Sequence, residues 1–73
     1  MNPFDIFDIE EREKIAKVVG TMEDRIYTKE EWIRTENKIL DEIMSQSYKS
    51  GKLDEVRNDY SNILNKIENY KEK

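Results

Sequence analysis

The chain has 73 residues, of which 41% are charged and 36% apolar, and a formal net charge of −4. It is long enough for one domain at most, and it contains neither cysteine nor histidine, which excludes a disulfide framework and any thiolate or imidazole metal site. Charge content this high would suit a disordered tail, but the apolar residues recur with helical spacing, so the expected fold class is all-α.

The first eight residues hold Pro3, Phe4, Ile6 and Phe7 between the acids Asp5 and Asp8. Phe4-Asp5-Ile6-Phe7 resembles the tail of the pentapeptide by which bacterial proteins dock on the sliding clamp, with Pro3 where that motif carries its leading glutamine. Asn2-Pro3-Phe4 is similar to the tripeptide bound by EH domains. Neither resemblance is a family assignment. A second reading is purely structural: Phe4 or Phe7 folds back as a hydrophobic staple over Ile9 and the bundle.

Asp8 followed by Glu11 fits a capping box and opens helix 1, expected at about 8–25. Ile15, Val19, Met22 and Ile26 are spaced 4-3-4, one face of a helix. Gly20 is a candidate break, ending the helix at Val19, and that reading is slightly preferred to a continuous helix. The stretch Tyr27-Thr28-Lys29-Glu30-Glu31-Trp32 is the clearest helix start in the chain. Thr28 can cap, Glu31 can reach back to it, and Tyr27 can pack over Trp32.

Helix 2 is expected at about 29–50, some 33 Å long. Its apolar set is Trp32, Ile33, Ile39, Leu40, Ile43, Met44 and Tyr48, a stripe two residues wide that suits contact with two neighbours. Glu36 and Asn37 interrupt it and are candidates for setting the register of a dimer. Gly51 suits the end of the helix. Helix 3 is expected at about 54–70, on the stripe Leu53, Val56, Tyr60, Ile63, Ile67 and Tyr70, with Leu64 widening it. The short connection makes helices 2 and 3 an antiparallel hairpin, and a small three-helix bundle results when helix 1 packs beside them. A domain of this size is marginal alone, so a dimer or a bound partner is expected.

No catalytic, cofactor-binding or metal-binding residue is expected. A serine here would lack histidine as base, and the adjacent acid pairs read as solvated faces and favourable helix-start charges. Three short helices seldom enclose a substrate pocket, so the chain is read as a non-enzyme. Helices 2 and 3 superficially suggest a DNA-binding helix-turn-helix. The docking end would carry Asp54, Glu55 and Asp59 with no basic patch in compensation, so direct nucleic-acid binding is not expected. No apolar run reaches membrane-spanning length and the N-terminus lacks a basic-then-apolar leader. No membrane association and a cytoplasmic location are expected.

The remaining class is a protein–protein interaction module, acting as a small regulator or inhibitor of a partner with a basic surface. Phe4, Ile6 and Phe7 are expected to project as an apolar anchor, with Trp32 supporting the bundle behind them and Tyr48 and Tyr70 at helix ends as further contacts. Asp5, Asp8, Glu10 and Glu11 are expected to steer association, since residues 1–31 hold nine acids and five bases. The alternatives are a self-associating helical scaffold, including a homodimer, and an acidic mimic of nucleic acid of the kind that mobile elements encode as inhibitors.

Overall fold

The computed structural model describes residues 6–20 and 27–71. Three helices follow in order: α1 (Ile9–Val19), α2 (Lys29–Ser50) and α3 (Leu53–Lys71). No strand occurs among the described residues. Helices α2 and α3 form the main interface, an antiparallel hairpin, and α1 packs on α2. The two short axes of the molecule, 22 and 18 Å, each span about two helix diameters.

Each helix begins and ends where local chemistry dictates. Asp8 accepts the Glu11 backbone N–H at 2.8 Å, and the Glu11 carboxylate accepts the Asp8 N–H at 3.0 Å, completing a capping box. Thr28 and Glu31 build the same device at the start of α2, at 3.2 and 3.0 Å. These bonds satisfy N–H groups that a helix start leaves without partners. The α1 helix stops at Val19 because Gly20 takes φ +82°, a conformation open to glycine, while its N–H still bonds the Ala16 carbonyl at 2.8 Å. Helix α1 thus ends at the break favoured at Gly20; residues 21–26, with Met22 and Ile26, lie outside the described residues. Gly51 ends α2 in the left-handed region at φ +72°, its N–H bonded to the Ser47 carbonyl at 2.7 Å.

The core is a single cluster of Phe7, Ile15, Trp32, Ile39, Ile43, Val56, Tyr60, Ile63 and Ile67. On α3 the buried residues follow the heptad stripe, except that Leu53 is partly exposed at the hairpin turn. On α2 only one of the two apolar rows is buried, with Thr35 joining it by bonding its hydroxyl to the Glu31 carbonyl at 3.0 Å. That bond lets a polar side chain enter the core without an unmet donor.

Candidate functional site

Three of the aromatic residues expected as partner contacts, Phe7, Trp32 and Tyr70, converge at one end of the bundle, but inward. Phe7 is only 2% exposed and sits 6.4 Å from the Trp32 ring, between centroids. Tyr27 meets Trp32 edge-on at 5.4 Å, and Tyr70 stacks on its other side at 5.0 Å with planes 2° apart. Trp32 thus ties the segment before α1, the start of α2 and the end of α3 into one knot. Aromatic pairs in such geometries add stability beyond the area they bury. Ile6 is half-buried against the same core.

This arrangement corrects the expectation of a projecting anchor at Phe7. Its ring stays in the core because Trp32 offers an aromatic face there and the Lys66 ammonium lies 5.8 Å from the Phe7 centroid. It does not cover Ile9, which faces solvent. Phe4 and Asp5 lie outside the described residues.

Glu11 also departs from its expected steering role. It is buried, its Oε1 accepts the Asp8 N–H and the Lys66 ammonium, and among the described residues its Oε2 has no partner. This carboxylate clamps α1 to α3 rather than facing a distant surface. Asp8 and Glu10 remain exposed at the start of α1. A second polar tie between these helices runs from the Lys14 ammonium to the Asp59 carbonyl at 3.0 Å.

The Lys71 ammonium closes the far end of the hairpin, bonding Glu36 and Glu68 at 2.8 Å each. The bond to Glu36, then that to Glu68, raises Lys71 above its ordinary pKa, and the bond from Lys71 holds Glu68 below the usual carboxylate range. Glu36 is therefore used within the molecule.

The exposed apolar surface lies elsewhere, on the second row of α2. Ile33 is 37% exposed, Leu40 43%, Met44 69% and Tyr48 93%. Each of Ile33, Leu40 and Met44 directly follows a core residue (Trp32, Ile39, Ile43), so it points about 100° away from the core row. Asn37 is exposed and falls within the same row. The row runs about 22 Å along the helix.

Of the expected contacts among the described residues, Tyr48 alone belongs to this surface; Trp32, Phe7 and Tyr70 pack in or against the core. The double width of the stripe was legible in the sequence as contact with two neighbours, but not which of its two rows the fold itself would bury. The missed signal is length. An α1 of 11 residues spans about 16 Å and α2 of 22 residues about 33 Å, so one short helix cannot cover a full-length row.

Among the described residues no cluster of three or more acidic side chains is placed to hold a metal ion, and no helix is long and apolar enough to cross a membrane. No protein-family model, no curated protein and no solved structure matches the chain.

Proposed function

We propose that this chain is a non-enzymatic protein–protein interaction module that presents the second row of α2 to another polypeptide. The observation that carries the reading is the exposed line Ile33, Leu40, Met44 and Tyr48, increasingly open along the helix, beside a row that is committed to the core. A helix face with apolar residues at this spacing is what a groove or a second helix takes up. If the row engages a different protein, the chain acts as a small regulator or inhibitor by occupying that protein's helix-binding face. If it engages another copy, the chain is a self-associating unit. The acidic-mimic alternative is weakened because Glu11 is turned into the bundle.

The exposed acids Asp8, Glu10 and Glu13 on α1 would speed approach to a basic surface, in which case association slows as salt is added. The test is photo-crosslinking in the native host from a reactive phenylalanine analogue placed at Leu40 or Met44, with Arg57 and Asn62 on exposed positions of α3 as controls. Discrete adducts from the α2 positions and none from α3 are expected. Equal labelling from both helices, or none from either, would remove the reading.

A further inference from the structure

We infer that α1, together with residues 6–8 before it, is a strap that lifts off as a unit while the α2–α3 hairpin stays folded. The inference stands apart from the exposed row and concerns the face that α1 covers. Three observations carry it.

The first is how the core is divided. Of its nine residues, seven belong to α2 and α3, and the strap supplies only Phe7 and Ile15. When Phe7 leaves, Trp32 keeps two of its three ring partners, Tyr27 and Tyr70. The hairpin also keeps the Lys71–Glu36 clasp and the bond between the Gln46 amide and the Tyr60 hydroxyl, at 3.4 Å. An element that contributes few buried apolar side chains opens at a lower free energy than the rest.

The second is what the strap buries. Of the two buried residues within α1, one is a carboxylate, Glu11. Its Oε2 is buried with no hydrogen-bond partner, and its Oε1 is held by Lys66, whose side chain is 33% exposed. A buried oxygen without a partner favours any form in which water reaches it, and lifting α1 returns both charges to water.

The third is the nature of the ties to α3. Lys66 bonds Glu11 and lies 5.8 Å from the Phe7 centroid. Lys14 bonds the Asp59 carbonyl and lies 5.9 Å from the Tyr60 centroid. Both are long, flexible side chains that can turn to water without disturbing the helices that carry them. Closed, the strap shields the Tyr60 ring and the Phe7 side of Trp32 from solvent; lifted, it bares them. Its position therefore decides whether this face of the hairpin can be reached.

Native-state hydrogen exchange of the full chain, followed amide by amide by NMR at urea concentrations below the unfolding midpoint, tests this. Amides of residues 13–19 should exchange at one common rate, at least about tenfold faster than those of Ile39, Ile43, Ile63 and Ile67, and with a shallower dependence on urea. Lys66→Met weakens the closed form alone, so it should speed strap and hairpin exchange by the same factor, at least about tenfold. Leu64→Ala weakens the hairpin whether the strap is closed or lifted. Leu64 is half-buried and stands seven residues before Lys71, on the α3 face turned to Glu36 and about 160° from Lys66. This variant keeps the fold and should speed hairpin exchange about tenfold while strap exchange stays within about twofold of wild type. Strap amides that exchange at the hairpin rate, or that respond to Leu64→Ala as the hairpin does, mean that the three helices open together and overturn the inference. Rates graded along α1 from one end, or no protection in α1 at all, overturn it as well.

Discussion

Ile39 illustrates how much a single side chain contributes here. It is fully buried between helices, while Leu40, its neighbour in sequence, is close to half exposed. Ile39→Ala is expected to cost about 3 kcal/mol of unfolding free energy, the sum of lost transfer energy and a residual cavity. Urea denaturation measures it. Glu11 does two things at once, completing the capping box and pairing with Lys66. Glu11→Ala should cost about 1–3 kcal/mol, and Asp8→Ala about 1 kcal/mol. Since both changes dismantle the same box, the double variant should lose less than the two single losses added together.

Helix limits follow from chemistry within three or four residues, which is why they were legible beforehand. Asp8 with Glu11, Thr28 with Glu31, and Gly51 each mark a helix end from their own neighbourhood. Gly51→Ala should cost about 1 kcal/mol in the same denaturation assay, although nothing lies within 4 Å of the added carbon, because φ +72° strains any side chain. The fate of Phe7 was not legible. Its burial depends on Trp32, 25 positions later, and on Lys66 from α3, and no local pattern encodes that meeting.

The clasp at the end of α3 depends on pH with a definite sign. The Lys71 pKa is raised, so its contribution is present below its ordinary 10.5 and is lost as pH climbs through the raised value. The Glu68 pKa is lowered, so its contribution is present above its ordinary 4.5 and is lost as pH falls through the lowered value. Tyr70 adjoins Lys71 and stacks on Trp32, so Trp32 emission reports on the clasp. The wild type should show an emission change below pH 4.5 that is reduced in Lys71→Met.

For the whole molecule, the bundle closes with half of the apolar width of α2 left over. The fold class was readable because helical period and capping agreed along the chain. The leftover row was not, because its exposure follows from the disparity between α1 and α2 in length, and that disparity turns on whether Gly20 continues or ends a helix. Stability thereby rests on one row of α2, and the association proposed for this chain falls to the neighbouring row. The direct measurement is urea unfolding at sub-micromolar protein, where any pairing is dissociated, of Leu40→Glu and Met44→Glu beside Ile39→Ala and Ile43→Ala. The outward pair should stay within about 0.5 kcal/mol of wild type while each inward change costs about 3 kcal/mol. Outward substitutions as costly as inward ones would mean that the second row is part of the core, contradicting the division.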